Sequence, residues 1–308
     1  MSVIGIDTSN YTTSIAYFDG ENGVNCSRLL PVKSGELGLR QSDAVFAHTK
    51  SLPDLSGRLF SNAEVGKITA VGVSTRPRAV DGSYMPCFMV GFSHAKLLSD
   101  ALGVPLIEVS HQQGHVAASL WSAGHLELMD EPHLAWHLSG GTTELLLVEP
   151  DGKNVKCTKI GGTTDISAGQ LIDRTGVMLD LPFPAGKHVD ALSKEATMKE
   201  TFKVKCPGME FSLSGVQNKV QQFHQKNGVP AETAAFALRC VAGAVYQATR
   251  NALKEYPGLK VVFSGGVASN SMLREVIAPL NPIFCEPQYS TDNAMGVAVL
   301  TYRYTQEG

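Results

Sequence analysis

Val3-Ile4-Gly5-Ile6-Asp7, Thr8-Ser9-Asn10-Tyr11-Thr12 and Thr13-Ser14-Ile15-Ala16-Tyr17-Phe18 together decide the fold. The first run is apolar and of strand length, the second is a polar turn, and the third is a returning strand closed by Asp19-Gly20. The design recurs as Leu134-Ala135-Trp136-His137-Leu138, then Ser139-Gly140-Gly141-Thr142-Thr143, then Glu144-Leu145-Leu146-Leu147-Val148, with a turn at Asp151-Gly152. Two strand–turn–strand units in one chain point to a duplicated, two-lobed architecture; two ordinary hairpins are the plainer alternative.

The intervening sequence alternates strands with helices. Ile68-Thr69-Ala70-Val71-Gly72-Val73-Ser74 reads as a strand, and residues 92–102 as a helix with Gly103 as its C-terminal cap and Pro105 beyond. Leu106-Ile107-Glu108-Val109 then delivers His111 to a helix start. Residues 231–255 form the clearest amphipathic helix, ended by Pro257-Gly258. Leu259-Lys260-Val261-Val262-Phe263 is a buried strand that runs into Ser264-Gly265-Gly266-Val267. The expectation is an α/β protein. Its lobes are expected at residues 1–125 plus about 293–308, and at residues 126–292.

Composition narrows the function. A chain of 308 residues, 43% of them hydrophobic, buries a core of two lobes. A net charge of -3 argues against unaided binding of nucleic acid, which needs clustered Lys and Arg. The six cysteines lie scattered with no Cys-x-x-Cys pair, as reduced thiols do. No apolar run spans a bilayer and no signal segment opens the chain, so a cytoplasmic location is expected.

Two kinds of chemistry are written in the sequence. His111 and His115, in Ser110-His111-Gln112-Gln113-Gly114-His115, lie four apart on an expected helix and project from one face. With Asp292 of Ser290-Thr291-Asp292-Asn293 they make a two-histidine, one-carboxylate set that leaves coordination positions open. Separately, Ser139, Gly140, Gly141, Thr142 and Thr143, and again Ser264, Gly265 and Gly266, are turns whose glycines let backbone N–H groups approach an anion. Asp7 ends the first strand, placed to hold a divalent cation or its waters, though such a residue also caps turns. In this order the loops resemble the phosphate and adenosine loops of the actin-like ATPase (Hsp70 and sugar-kinase, ASKHA) superfamily.

The resemblance sharpens to one family. Ile4-Gly5-Ile6-Asp7-Thr8-Ser9, the His111/His115 pair, Leu138-Ser139-Gly140-Gly141-Thr142-Thr143 and Ala168-Gly169-Gln170-Leu171-Ile172-Asp173-Arg174 are similar to the TsaD family. So are Phe183-Pro184-Ala185-Gly186, Phe211-Ser212-Leu213-Ser214-Gly215, Gly265-Gly266-Val267-Ala268-Ser269-Asn270 and Thr291-Asp292-Asn293. This is the tRNA threonylcarbamoyladenosine synthase subunit family, formerly grouped as O-sialoglycoprotein endopeptidases (peptidase M22). The resemblance implies iron or zinc on His111, His115 and Asp292. It implies ATP or an acyl-adenylate, with or without Mg, on Ser139–Thr143, Asp173, Gly186, Asp190, Gly265, Gly266 and Asn270. It also implies a homo- or hetero-oligomer with TsaB-like or TsaE-like proteins, which help to bring the tRNA. A peptidase is excluded by chemistry, because Gln112 and Gln113 stand where a His-Glu-x-x-His zincin needs its glutamate.

The chain departs from the family pattern in four places, one of them the 110–115 stretch, where a histidine and a glutamate of the family are lost while the ligand spacing survives. An Asp-Glu step in the first loop is replaced by Tyr11-Thr12, so Asp7, Thr12, His111 and His115 remain as catalytic candidates, and Thr12 cannot accept a proton near neutral pH. Thr142 stands for a histidine. A short Ala-Gly-Pro-Gly turn is replaced by Ser74-Thr75-Arg76-Pro77-Arg78-Ala79-Val80-Asp81-Gly82, where Arg76 and Arg78 either clamp an anion or make structural ion pairs. These departures suit a diverged paralogue. Three readings follow: threonylcarbamoyl transfer from threonylcarbamoyl-AMP to adenosine 37 of tRNA; carbamoyl or acyl transfer to another acceptor; or a non-catalytic, ATP-binding scaffold or regulator. The last would use a helical face over residues 40–50 for association.

Overall fold

In a computed structural model, residues 1–9, 11–31, 39–62 and 66–306 are described. The strands are β1 (Ser2–Ser9), β2 (Thr12–Phe18), β3 (Gly23–Leu29), β4 (Ile68–Arg76), β5 (Leu106–Ser110), β6 (His133–Leu138), β7 (Thr143–Asp151), β8 (Asn154–Thr163), β9 (Glu210–Phe211), β10 (Val261–Ser264) and β11 (Ile283–Phe284). The helices are α1 (Gln41–Asn62), α2 (Phe88–Leu102), α3 (His111–Ser122), α4 (Ala168–Met178), α5 (Gly186–Ser193), α6 (Ser214–Asn227), α7 (Pro230–Glu255), α8 (Ser271–Ile277) and α9 (Met295–Thr305).

One sheet has the order β3-β2-β1-β4-β5 and the other β11-β10-β6-β7-β8-β9. Read from its far edge, the second sheet repeats the first: β8-β7-β6-β10-β11 answers β3-β2-β1-β4-β5. In both, the first two strands pair antiparallel and the fourth and fifth run parallel to the first. The two strand–turn–strand units of the sequence are therefore the cores of duplicated sheets, and β9 is an added edge strand parallel to β8. Chain contacts divide into residues 1–131, 149–157 and 292–308, and residues 132–148 and 158–291. These divisions fall at Glu131/Pro132 and Thr291/Asp292, where the sequence suggested 125/126 and 292/293. The tip of the β7–β8 hairpin goes with the first unit, so Asp292 and the two histidines lie in one unit.

In the first unit, α1 and α2 cover one face of the sheet and α9 the other, with α3 packed on α9. Ile4, Ile6, Ile15, Val71 and Val73 alternate inward toward Leu52, Leu55 and Leu59 of α1, as a half-covered strand requires. β1 is longer than the expected 3–7 strand. Thr8 and Ser9 are buried, and the Thr8 hydroxyl donates to the Cys87 carbonyl at 3.0 Å while accepting the Gly91 amide at 3.0 Å. Of the expected 8–12 turn, Thr8, Ser9 and Thr12 are strand and Tyr11 is turn, and Asn10 lies outside the described residues. In the second unit, Trp136, Phe211 and Phe263 pack with α7, and the Trp136 indole donates to Thr249 Oγ1 at 2.9 Å. No helix among the described residues is long and apolar enough to cross a membrane.

Candidate metal centre and nucleotide loops

Ser110 ends β5 and caps α3. Its hydroxyl accepts the Gln113 amide at 3.2 Å, while Gln113 Oε1 accepts the Ser110 amide at 2.9 Å. This reciprocal cap fixes the first turn of α3. Gln113 also donates through Nε2 to the Val155 carbonyl at 2.8 Å. His111 thus stands at the first helical position and His115 one turn later. His115 Nε2 lies 2.9 Å from His111 Nε2 and 3.1 Å from Asp292 Oδ1, and His111 Nε2 lies 3.5 Å from Asp292 Oδ1.

These separations fit a metal ion. Donors bound at about 2.1 Å lie about 3.0–3.4 Å apart in neighbouring tetrahedral or octahedral positions. Two imidazole nitrogens and a carboxylate oxygen suit iron or zinc, and three donors leave room for a substrate oxygen. The three residues are the described His/Cys/Asp/Glu group whose ligand atoms lie within 4.8 Å of one another.

Asp7 stands behind His111. It is fully buried, and its Oδ1 accepts from the Ser74 hydroxyl and faces His111 Nδ1 at 3.0 Å. A carboxylate on Nδ1 turns the other ring nitrogen, Nε2, toward Asp292. Burial alone would depress the His111 pKa, but the Asp7 carboxylate and the hydrogen bonds that His111 donates to Asp292 and to Asp7 raise it to about 10. Asp292 is held well below the ordinary carboxylate range against the opposing effect of burial, through hydrogen bonds with His111 and His115. A divalent ion held by these residues would take the place of the proton that the two carboxylates favour on the ring. The thiol of Cys87 is pushed up to about 11, chiefly by burial and then by Asp7, so it is no thiolate ligand.

α9 is set against α3 by two glycines. A Cβ on Gly296 would fall 1.8 Å from the Gly114 carbonyl oxygen. Asn25 Oδ1 accepts the Ala294 amide at 3.0 Å and fixes the approach to α9. Ser74, Gly296 and Asn25 are not marked as site residues by the sequence, since no local pattern identifies a residue that positions another. Thr12 is buried in β2, two pairs from Asp7 in the hairpin register, with its side chain making no hydrogen bond among the described residues.

In the second unit, the 139–143 loop is closed by the Ser139 amide on the Thr142 carbonyl at 2.8 Å and the Thr142 amide on Ser139 Oγ at 3.0 Å. Ser167, the cap of α4, donates to the Gly140 carbonyl at 2.6 Å, and Thr143 Oγ1 accepts the Ala168 amide at 2.8 Å. Gly140, Gly141 and Gly266 are different from packing glycines: a Cβ on any of them would meet nothing within 4 Å. Their lack of a side chain leaves backbone open to a ligand. Gly265 is structural, at φ +90° with the Leu138 carbonyl oxygen 2.1 Å from where its Cβ would be.

Asp190 and Asn270 are brought together: Asp190 Oδ1 accepts Asn270 Nδ2 at 2.8 Å, the Ser271 amide at 3.0 Å and Ser271 Oγ at 2.8 Å. Asn270 Oδ1 in turn caps α8 through the Leu273 amide at 3.0 Å. Asp173 accepts the Ala185 amide at 2.9 Å, just ahead of Gly186 at the start of α5, and burial raises its pKa. Arg76 is exposed at the end of β4, and Arg78 is exposed in the loop that follows.

Comparison with known proteins agrees with this architecture. Residues 38–299 match the family described as TsaD: tRNA N6-adenosine threonylcarbamoyltransferase. The tRNA N6-adenosine threonylcarbamoyltransferase of Carboxydothermus hydrogenoformans is 32% identical over 97% of this chain and 91% of its own length. That of Thermosipho africanus is 31% identical over 100% and 96%. Among solved structures, full-length HypF in its phosphate- and nucleotide-bound form has a TM-score of 0.63 at 14% identity, covering 100% of this chain and 47% of that one. The Thermus thermophilus ROK hexokinase has a TM-score of 0.53 at 14% identity, covering 99% and 100%. These structural likenesses establish the actin-like ATPase fold. The sequence matches go further, and the chain belongs to the TsaD family of tRNA N6-adenosine threonylcarbamoyltransferases.

Proposed function

We propose that the chain transfers a threonylcarbamoyl group from threonylcarbamoyl-AMP to the exocyclic amine of adenosine 37 in tRNA. The convergence of His111 Nε2, His115 Nε2 and Asp292 Oδ1 within bonding reach of one ion carries this reading, together with family membership. In the reaction the amine nitrogen bonds to the carbamoyl carbon, the bond from that carbon to the phosphate oxygen breaks, and AMP departs while the amine gives up a proton. Bound by the triad, iron or zinc supplies a Lewis acid for the carbonyl oxygen.

The chain's own residues do the rest. Asp7, held by Ser74, orients His111 through Nδ1. Backbone N–H groups of the 139–143 loop and of Gly265 and Gly266 receive the phosphate, and Asp173, Gly186, Asp190 and Asn270 hold the adenosine. Thr12 cannot serve as a base near neutral pH, so the amine's proton leaves to another group. With a net charge of -3, TsaB-like or TsaE-like partner proteins help to present the tRNA.

The test is reconstitution of the purified chain with family partner proteins, threonylcarbamoyl-AMP and unmodified tRNA, followed by mass spectrometry of the nucleosides. Threonylcarbamoyladenosine formed by wild type and absent with Asp292→Ala supports the reading. No modified nucleoside, from protein that binds metal and ATP, rejects tRNA as the acceptor.

A further inference from the structure

The loop that follows β4 has no place in the mechanism above, yet it is tied to the metal centre. Arg76 ends β4 with its backbone in register with Ser110, the residue before His111, and the ladder shifts between Ser74 and Arg76. One residue on, the Pro77 carbonyl accepts the Gln112 amide at 3.0 Å, which fastens the loop to the first turn of α3. The loop then closes on itself. The Arg78 amide donates to Ser83 Oγ at 3.0 Å, the Ser83 amide donates to the Val80 carbonyl at 3.2 Å, and Gly82 turns the chain at φ +75°. A cavity of about 280 Å³ results, lined by Arg76, Ala79, Val80, Asp81, Gly82 and Ser83.

The structure separates the two arginines. Arg78 has a partner of its own. Arg76 is exposed and borders the cavity, and its side chain makes no hydrogen bond or ion pair among the described residues. Its guanidinium therefore borders the cavity with no carboxylate of the described residues paired to it. Its planar fork matches the two oxygens of a carboxylate. Asp81 and Ser83 line the same cavity as acceptors, which suit the hydroxyl or N–H groups of the same molecule.

We propose that this cavity is a carboxylate subsite in which Arg76 pairs with the free carboxylate of a small hydroxyl-bearing substrate, namely the threonyl part of the transferred group. The inference rests on the transferase reading and deepens it, by assigning recognition of the acyl group to the loop after β4. Selectivity then resides in one charge-assisted pair, so that removing either the guanidinium or the carboxylate has the same effect.

The experiment is calorimetric titration of the full chain with N-carbamoyl-L-threonine and with its carboxamide, for wild type, Arg76→Ala, Arg76→Lys and a distant control, Arg58→Ala. Metal content and ATP affinity are measured on each protein. Wild type and Arg58→Ala should bind the carboxylate form about ten-fold or more tighter than the amide, as a charged hydrogen bond predicts. Arg76→Ala should lose that preference with metal and ATP binding unchanged, and Arg76→Lys should recover part of it. Equal or undetectable binding of both ligands to wild type, or an Arg76→Ala preference like that of wild type, overturns the proposal. The tRNA assay separates the two claims. Discrimination without transfer keeps the subsite and rejects the transferase reading, while transfer without discrimination rejects the subsite alone.

Discussion

Gly296→Ala should dismantle the metal centre without touching a ligand. The added methyl would lie 1.8 Å from the Gly114 carbonyl oxygen, 2.6 Å from the Gly114 carbonyl carbon and 2.8 Å from the Ala118 amide nitrogen. All three are backbone atoms of α3, so no side chain can swing aside, and a tolerable contact of at least 3.0 Å requires the two helices to part by more than an ångström. Gly114 adjoins His115, and Gly296 follows Asp292 by four residues, so the displacement falls between His115 Nε2 and Asp292 Oδ1, now 3.1 Å apart. Metal–ligand distances tolerate errors of about 0.2 Å, and donors about 4.3 Å apart cannot both bind one ion at about 2.1 Å. The expected loss in metal affinity is about a hundred-fold or more. Overpacking should also cost about 1–3 kcal/mol, or about 3–10 °C in melting temperature. Metal affinity from chelator competition and the melting temperature are the readouts, with Gly243→Ala as control. Gly243 lies on the exposed face of α7, where a Cβ meets nothing within 4 Å, and alanine there should be neutral or stabilise by about 0.5–1 kcal/mol. A Gly296→Ala protein with wild-type metal affinity and melting temperature would refute the account of how α9 presents Asp292.

Three other predictions concern residues away from the ligands. His48 is fully buried with Nδ1 on Thr13 Oγ1 at 2.8 Å, and burial lowers its pKa from 6.5. Its folded form is neutral, so its contribution is present above pH 6.5 and is lost as pH falls through the depressed value. Urea unfolding of wild type should weaken between pH 7 and pH 5, and His48→Gln should flatten that decline; a parallel decline in both proteins would count against it. Asp165 accepts the Leu213 amide at 2.8 Å and the Ser212 and Ser214 hydroxyls at the start of α6, which together hold its carboxyl far below 3.8 against the effect of burial. Its stabilisation is present above pH 3.8 and lost below, so Asp165→Asn should melt lower than wild type at pH 7, with the gap narrowing toward pH 2. Finally, Gly141→Ala should leave the melting temperature within about 1 °C, since its Cβ meets no protein atom, yet weaken ATP binding about ten-fold or more by crowding the phosphate. Unchanged ATP affinity would remove that loop from the nucleotide site.

The duplicated sheets, the alternation of strands and helices and the His111–His115 face were legible in the sequence, because each depends on local periodicity. The two strand–turn–strand runs emerged as β1–β2 and β6–β7, and the capping Gly103 as a left-handed residue at φ +64°. α2 begins four residues before the expected 92–102 helix, since the buried Phe88 carries its apolar face back a turn. Long-range effects were not legible. Nothing beside Ser74 announces that it holds Asp7 across 67 positions, and nothing near Gly296 shows that it must pass close to Gly114. The two arginines of Arg76-Pro77-Arg78 look alike in sequence. Only the fold gives a partner to Arg78 and leaves Arg76 beside a cavity.

The transferase reading requires His111, His115 and Asp292 to hold one catalytic metal ion. Elemental analysis of the purified chain beside His111→Ala/His115→Ala, with ATP binding measured on both, tests it most directly. About one iron or zinc per wild-type chain is expected, lost from the double variant, with nucleotide affinity unchanged within about two-fold. A wild-type protein that takes up neither metal, or a variant that keeps it, would contradict the claim.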